Sequence, residues 1–239
     1  MQPSEIKKIL IIQTAFLGDV VLATALVEKL HATYPAAQLD FLLRKGNEGL
    51  LKTHPLLRQV LIWNKQEGKY KSLWKLLGQI RAEKYDVVVN VQRYGATGIL
   101  TAFSGAKQTF GFDKNPFSRL FTRRYTHNME NGSHEVERNQ LLISSITDGP
   151  AAKPKLYPTA QDYEKVQPLK TIPYLTIAPT SVWFTKQYPA EKWVELLNSL
   201  PVNYKVYLLG SPADKAHAEA IIASAQHPNT ENLCGQLNL

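Results

Sequence analysis

Two short segments of the sequence carry residues that could do chemistry in an α/β protein. In the first, Gly18 and Asp19 follow the apolar run 9–12 and begin a helical pattern in which leucines recur every four residues. An acid at this position can cap the helix by accepting backbone N–H groups. It can also lie at the carboxyl end of the strand, where α/β sheets bind ligands, and act there as a general base. Different carboxylate oxygens can serve both purposes.

The second segment, residues 178–189, lies between an apolar run and a helical pattern. The hydroxyl groups of Thr180 and Ser181, the backbone amides and the ammonium group of Lys186 together suit a diphosphate. They would donate hydrogen bonds and supply positive charge to a leaving group. The alternative is an ordinary polar loop with a solvated lysine.

Basic residues cluster at three further places. One cluster consists of Lys107, Lys114, Arg119, Arg123 and Arg124, and another of Lys65, Lys69, Lys71 and Lys75. His134 and Arg138 stand four residues apart in a helix expected over 134–147, which would place them on one face. The alternative is a capped helix start with local side-chain pairs. Charge clusters often form solvated surfaces, but arginine forks also suit phosphate groups.

Charge is distributed unevenly along the chain. The formal net charge is +8, and residues 1–150 hold 20 Lys+Arg against 13 Asp+Glu, whereas residues 151–239 hold 8 against 7. The first segment therefore favours an anionic partner, such as nucleic acid, a phosphorylated glycolipid or an anionic membrane face. RNP-like and helix-turn-helix signatures are missing from the sequence, so nucleic acid is not expected.

Several functional classes are excluded by composition and spacing. The only cysteine, Cys234, excludes an internal disulfide and fits a reducing compartment such as the cytoplasm. No group of histidines, cysteines or acids has the spacing of metal ligands, and the first turn lacks the Gly-x-Gly-x-x-Gly fingerprint of NAD-binding proteins. The apolar run 9–12 is far shorter than the roughly 20 residues that a membrane-spanning helix needs.

Short apolar runs alternate with helical patterns, which predicts an α/β fold with two Rossmann-like, doubly wound parallel-sheet domains. Strands are expected at 9–12, 39–43, 60–63, 86–91, 174–178, 205–209 and 231–234, and helices at 70–84, 134–147, 190–200 and 213–225. The expected domains are 1–150 and 172–239, joined by a proline-rich linker at 151–171. The second domain is expected to be truncated, because about 65 residues fall short of the usual 100 or more.

Taken together, these segments resemble glycosyltransferase family 9, the heptosyltransferases. The matching residues occur in family order at 9–13 with 17–21, 104–107 with 111–113, 134–139, 179–189 and 209–211. The resemblance implies a GT-B architecture, in which two Rossmann-like domains face each other across a cleft. It also implies an enzyme that transfers heptose from ADP-heptose to the phosphorylated inner core of lipopolysaccharide, with inversion. One departure is Tyr188, where better-matched members have tryptophan.

The same resemblance implies roles for individual residues. Asp19 would be the catalytic base and Gly18 would belong to the donor site, while Thr180, Ser181 and Lys186 would hold the donor diphosphate, with Lys186 also assisting catalysis. The anionic glycolipid acceptor would meet basic residues of the first domain, which are Lys65, Lys69, Arg119, Arg123, Arg124, His134 and Arg138. Neither a cofactor nor a metal is implied, and the enzyme would act in the cytoplasm, peripherally at the inner membrane. The competing hypothesis is a non-catalytic basic α/β module that binds an anionic glycolipid or nucleic acid.

Overall fold

A computed structural model of the protein describes residues 6–129, 132–181 and 183–237. The chain divides into two compact units, Met1–Tyr157 and Pro158–Leu239. Each unit has its own parallel β-sheet and its own buried apolar core.

The first unit is built on a sheet of six parallel strands, numbered over the described residues. They are β1 (Lys8–Ile12), β2 (Gln38–Arg44), β3 (Leu57–Trp63), β4 (Val87–Asn90), β5 (Gln108–Phe112) and β6 (Arg123–Tyr125). Their order in the sheet is β3-β2-β1-β4-β5-β6, and every neighbouring pair is parallel. This is the order of a doubly wound sheet, and it confirms the α/β class.

Helices cover both faces of this sheet. They are α1 (Leu17–Thr33), α2 (Lys69–Glu83), α3 (Gly95–Ala102) and α4 (Glu135–Leu141). Because strand side chains alternate, β1 sends Ile9 and Ile11 to the core under α1 and sends Leu10 and Ile12 to the core under α2 and α3. Helix α4 packs against α1. Burial on both faces explains why the central strands are continuous apolar runs in the sequence.

A polar network around one buried carboxylate links β1, β2 and β3 to residues 83–85, which precede β4. The carboxylate of Asp40 on β2 is fully buried, and it accepts hydrogen bonds from Arg58 and from the Tyr85 hydroxyl. Glu83 extends the network by accepting from Arg58 at 2.7 Å and from the Lys8 ammonium at 3.0 Å. These donors compensate for the desolvation of a carboxylate that would otherwise be too costly to bury.

The second unit has a smaller parallel sheet in its described residues, with the order β7-β8-β9. Its elements are α5 (Ala160–Val166), β7 (Tyr174–Ile177), α6 (Ala190–Ser199), β8 (Lys205–Leu208), α7 (Lys215–Ser224) and β9 (Thr230–Asn232). Ile177, Val206 and Leu208 of the sheet pack with Leu197 of α6 and Ile221 of α7. The strands lie close to the positions that the sequence predicts.

The linker expected at 151–171 is structured. The backbone N–H of Lys155 donates to Thr24 Oγ1 at 2.9 Å, and the Tyr157 hydroxyl donates to Glu28 at 2.8 Å, so the start of this segment packs on α1. Farther along, Thr159 caps α5. The prolines here therefore belong to a packed extended segment and a helix start.

The sequence patterns do not predict α3, β5 or β6. Glycines interrupt the first two, and both glycines are enforced by packing. A Cβ at Gly98 would lie 2.2 Å from the Asn115 side-chain oxygen, and a Cβ at Gly111 would lie 2.5 Å from the Phe121 ring. Strand β6 has the sequence Arg-Arg-Tyr and lacks an apolar alternation.

Replacing Glu83 with Gln should reduce stability in a pH-dependent way. Hydrogen bonds lower the pKa of Glu83 from 4.5 to about 2, and the bond from Arg58 has a larger effect than the bond from Lys8. A lowered pKa stabilises the fold above the unfolded-state value, and this contribution is lost as the pH falls toward 2. We expect urea unfolding to show Glu83→Gln about 1 kcal/mol less stable than wild type at pH 7, with the gap closing below pH ~4.5. Glu164→Gln, which removes an exposed carboxylate of α5, is the control, and an equal pH-dependent loss there would contradict the assignment.

Candidate active site

The carboxyl ends of the strands in the first unit surround a pocket of about 380 Å³. Its lining residues lie at the ends of β2 and β5, follow β1, β3, β4 and β6, or belong to α1 and α4. They are Gln13, Thr14, Ala15, Phe16, Asp19, Arg44, Lys65, Val91, Gln92, Arg93, Tyr94, Phe112, His127, Met129, Glu135, Arg138 and Asn139.

Strand order determines the position of this pocket. β1 and β4 are hydrogen-bonded neighbours, with Ile12 opposite Asn90 at their carboxyl ends. From β1 the chain proceeds to β2 on one side, and from β4 it proceeds to β5 on the other, so the loops diverge. Doubly wound sheets bind ligands in the crevice at such a switch point. The pocket occupies that crevice.

Asp19 lies in the first turn of α1 and lines the pocket. Its Oδ2 accepts the backbone N–H of Phe16 at 3.0 Å and so caps the helix. In the described part of the chain no donor is recorded for Oδ1. One carboxylate oxygen therefore has a structural partner and the other is available to a ligand, which is compatible with both roles predicted from the sequence.

Amide side chains brace the two loops on either side of the switch point. Gln92 after β4 donates to the Oε1 of Gln13 after β1, and the same oxygen accepts the backbone N–H of Ala15 at 3.2 Å. Asn115 donates to the backbone oxygens of Gln92 and Tyr94 at 3.0 and 3.1 Å. These bonds hold the pocket floor in one conformation.

The pocket carries more positive than negative side chains. Its cationic residues are Arg44, Lys65, Arg93 and Arg138, and its carboxylates are Asp19 and Glu135. Arg138 lies 3.8 Å from Glu135, whereas the Arg44 guanidinium stacks on the Phe16 ring at 4.7 Å. The excess of arginine suits a ligand with phosphate or carboxylate groups.

Two titratable groups in the pocket reflect this electrostatic environment. Burial, and then the charges of Arg93 and Arg138, lower the pKa of His127, so this ring is neutral at pH 7. Burial, and then the nearby charge of Asp19, raise the pKa of Glu135. Glu135 and Asp19 thus interact within one site, next to a basic group of residues.

Asn139 adds a polar donor to the pocket wall. Its side chain is buried, and its Nδ2 has no hydrogen-bond partner among the described residues. Since buried polar groups are normally satisfied, this N–H is suited to a ligand oxygen.

The structure brings only some of the predicted acceptor residues together. Lys65 and Arg138 line the pocket, whereas Arg119, Arg123 and Arg124 do not; Arg123 and Arg124 lie on strand β6 at the edge of the sheet. The side chain of Lys69 lies outside the described residues.

The expectation that His134 and Arg138 share a helix face is wrong, and the alternative of a capped helix start is confirmed. His134 precedes α4 as its N-cap, and its Nδ1 accepts the backbone N–H of Val136 at 3.2 Å. It lines a separate depression with Ser133 and Glu137. The helix also ends at Leu141 and gives way to turns, in contrast to the expected extent of 134–147.

In the second unit, the predicted diphosphate-binding residues follow β7. Thr180 and Ser181 are half-buried, and Lys186 is exposed in a 3₁₀ turn. Asp214, which follows β8, accepts from the backbone and hydroxyl of Ser211 at 2.7 and 2.6 Å. These bonds and one from Thr180 keep the pKa of Asp214 low, although burial opposes them. The loops after β7 and β8 therefore meet at the carboxyl edge of this sheet.

Within residues 6–129, 132–181 and 183–237, no three histidines, cysteines or acids lie together in a way that could hold a metal ion. None of the helices there combines the length and apolar character required to cross a bilayer.

A sequence model of glycosyltransferase family 9 (heptosyltransferase) matches residues 73–239, which is most of the chain. The chain belongs to glycosyltransferase family 9. This confirms the resemblance inferred from the motifs. Because relatives in the family are lipopolysaccharide heptosyltransferases, the protein is a glycosyltransferase, and a non-catalytic module is not favoured.

Individual relatives extend over nearly the whole chain. Lipopolysaccharide heptosyltransferase 3 of Escherichia coli is 26% identical over 237 residues, covering 93% of this chain and 70% of the relative. A family 9 glycosyl transferase structure from Veillonella parvula has a TM-score of 0.83 at 19% identity, covering 97% of this chain and 70% of the other. An E. coli heptosyltransferase solved with ADP-2-deoxy-2-fluoro heptose has a TM-score of 0.76 at 19% identity, covering 95% and 76%. These two structures establish a common fold.

The capping role of Asp19 Oδ2 can be tested separately from any role of Oδ1. Asp19→Ala removes the cap and should destabilise the protein by about 1 kcal/mol. Asp19→Asn keeps an oxygen that can accept the Phe16 N–H, so it should stay within about 0.5 kcal/mol of wild type. Urea unfolding of the two variants measures the difference, and equal losses would contradict the capping assignment.

Proposed function

We propose that the protein transfers heptose from ADP-heptose to a phosphorylated sugar of the lipopolysaccharide inner core, with inversion at the anomeric carbon. The pocket at the β1–β4 switch point supports this proposal most directly, because it combines an available carboxylate oxygen with clustered arginines. In this proposal the enzyme acts at the cytoplasmic side of the inner membrane, with peripheral membrane contact.

We assign binding of the acceptor to the first unit. An inner-core acceptor carries phosphate and carboxylate groups, and Arg44, Arg93 and Arg138 offer planar donors that match them. The N–H of Asn139 suits a sugar hydroxyl. Lys65 contributes a further positive charge at the rim.

Asp19 is assigned the role of general base. An acceptor hydroxyl gives its proton to Oδ1 as its oxygen forms a bond to the anomeric carbon of the donor. The bond from that carbon to the diphosphate oxygen breaks at the same time, and the electron pair leaves with ADP. The step needs no covalent enzyme intermediate, because the acceptor oxygen attacks the donor directly.

We assign binding of the nucleotide-sugar donor to the second unit. Thr180 and Ser181 lie at the carboxyl end of β7 and can donate hydroxyl hydrogen bonds, while Lys186 can neutralise charge that develops on the departing diphosphate. The relative solved with ADP-2-deoxy-2-fluoro heptose supports an ADP-sugar as donor. In this proposal the lysine performs the charge neutralisation, so no metal is obligatory.

Asp19→Asn should abolish most transfer while leaving the fold intact. The amide cannot accept the hydroxyl proton, so turnover should fall by about 10²- to 10⁴-fold, with ADP affinity unchanged. Heptose transfer to a heptose-deficient lipopolysaccharide core, followed by mass spectrometry, measures the effect. Near-normal turnover would remove Asp19 as the base.

Lys186→Ala should weaken binding of ADP by about 10- to 100-fold, because it removes a charge-assisted hydrogen bond to phosphate. Isothermal titration calorimetry measures this affinity directly. The matched control is Lys192→Ala, which removes an exposed lysine of α6 that pairs with Glu195 at 2.8 Å. Unchanged affinity in Lys186→Ala would argue against the diphosphate role.

A further inference from the structure

One surface of the first unit exposes large apolar side chains that the pocket does not use. Tyr70 and Trp74, one turn apart on α2, are 71% and 60% exposed. Phe103, at the end of α3, and Leu120, in the turn Ser118–Leu120, are 47% and 58% exposed. Helix α2 packs against α3, and α3 packs against this turn, so the segments form one continuous layer. Large exposed apolar patches, especially those rimmed by polar or charged residues, mark interaction sites.

Basic residues occur on the same elements as these apolar groups. Lys71 and Lys75 alternate with Tyr70 and Trp74 along α2, and both lysines are exposed. In total α2, α3 and the turn contain five basic residues and one acid, which are Lys69, Lys71, Lys75, Arg81, Arg119 and Glu83. The acid is ion-paired with Lys8 and Arg58.

The helices on the opposite face of the sheet have the reverse charge balance. Helices α1 and α4 contain two basic residues and four acids, which are Lys29, Arg138, Asp19, Glu28, Glu135 and Glu137. The positive charge of the helical layers is thus concentrated on the same side as the exposed aromatic residues.

We propose that this surface of α2, α3 and residues 118–120 docks the protein on the anionic headgroups of a lipid bilayer. Tyr70 and Trp74 enter the interfacial zone, where their apolar rings and polar N–H or O–H groups are both accommodated. Lys71 and Lys75 contact lipid phosphates. A protein partner fits less well, because lysine is depleted from the cores of protein–protein interfaces.

The position of this surface also suits the proposed function, on which this step rests. Lys65 lines the pocket, and its turn, Lys65–Glu67, contacts α2. A glycolipid acceptor could therefore present its sugar to the pocket while its acyl chains stay in the bilayer next to α2.

Vesicle co-sedimentation of the full chain tests the proposal without donor or acceptor. We expect binding to vesicles of phosphatidylethanolamine and phosphatidylglycerol in equal amounts, and weak binding to phosphatidylcholine vesicles. Lys71→Gln with Lys75→Gln should lower the partition coefficient about 30-fold at low salt, because each lysine near an anionic surface contributes about fivefold. Trp74→Ala should weaken binding at all salt concentrations.

Two control variants distinguish binding through this surface from non-specific effects of net charge and exposed apolar area. Lys52→Gln with Lys153→Gln removes the same charge from exposed positions outside the layer, and Leu141→Ala removes an exposed apolar group from α4. Both should bind like wild type. The proposal is overturned if the wild-type protein does not bind anionic vesicles or if Lys71→Gln with Lys75→Gln binds them as well as wild type. It is equally overturned if the lysine control pair loses as much vesicle binding as that variant. It is also overturned if Trp74→Ala changes the sedimentation coefficient of vesicle-free protein while vesicle binding is unchanged, since that identifies a second copy as the partner.

Transfer assays distinguish this proposal from the proposed function. The variant with Lys71→Gln and Lys75→Gln should keep its turnover on a lipid-free core acceptor and lose turnover on acceptor embedded in anionic vesicles. A wild-type chain that binds vesicles but transfers no heptose would overturn the transferase and leave the docking surface standing.

Discussion

β1 and β4 lie side by side in the first sheet, and the chain leaves them in opposite directions. That arrangement opens a crevice at the carboxyl edge, into which the loops after both strands project. Asp19 reaches the pocket from the first turn after β1, and Arg93 reaches it directly after β4. The hydrogen bond between Gln92 and Gln13 ties these two loops together. Strand order therefore determines where the loops of the site lie, and the loop sequences determine which charged side chains they bring to it.

Asp19 combines an observed role in folding with the catalytic role that we propose for it. The bond from the Phe16 N–H to Oδ2 satisfies an otherwise unpaired donor at the start of α1 and fixes the carboxylate in the pocket wall. A side chain held in this way loses little conformational freedom when a ligand binds, which favours catalysis by positioning. Glu135 and Arg138 of α4 complete the wall, so the short helix that packs on α1 is part of the site.

The sequence predicts the features that have local signals. The apolar runs at β1, β2 and β4 identify a parallel sheet, and the turn after β1 identifies Asp19, because strand ends in such sheets carry functional groups. Arg93 follows β4 in the same way, and the strand-end argument applies equally to it. Arg44 directly follows the expected strand 39–43, so the same argument covers it too. His127 meets these residues only in three dimensions, and sequence spacing gives no sign of it. His127 follows β6, a strand whose Arg-Arg-Tyr sequence has no apolar alternation.

His134 shows what spacing alone cannot decide. Its distance of four residues from Arg138 fits one helix face and fits a capped helix start equally well. The structure gives it the cap, because the first turn of a helix has backbone N–H groups without partners inside the helix. Arg123 and Arg124 likewise form a basic cluster in the sequence and an edge strand in the fold.

A crystal structure of the protein with a lipid-free, phosphorylated inner-core sugar would test the central assignment most directly. We predict that the sugar occupies the crevice between the β1 and β4 loops, with a hydroxyl within hydrogen-bond distance of Asp19 Oδ1 and its anionic groups on Arg44, Arg93 or Arg138. An acceptor bound elsewhere, with the Oδ1 of Asp19 out of reach of every sugar hydroxyl, would contradict it.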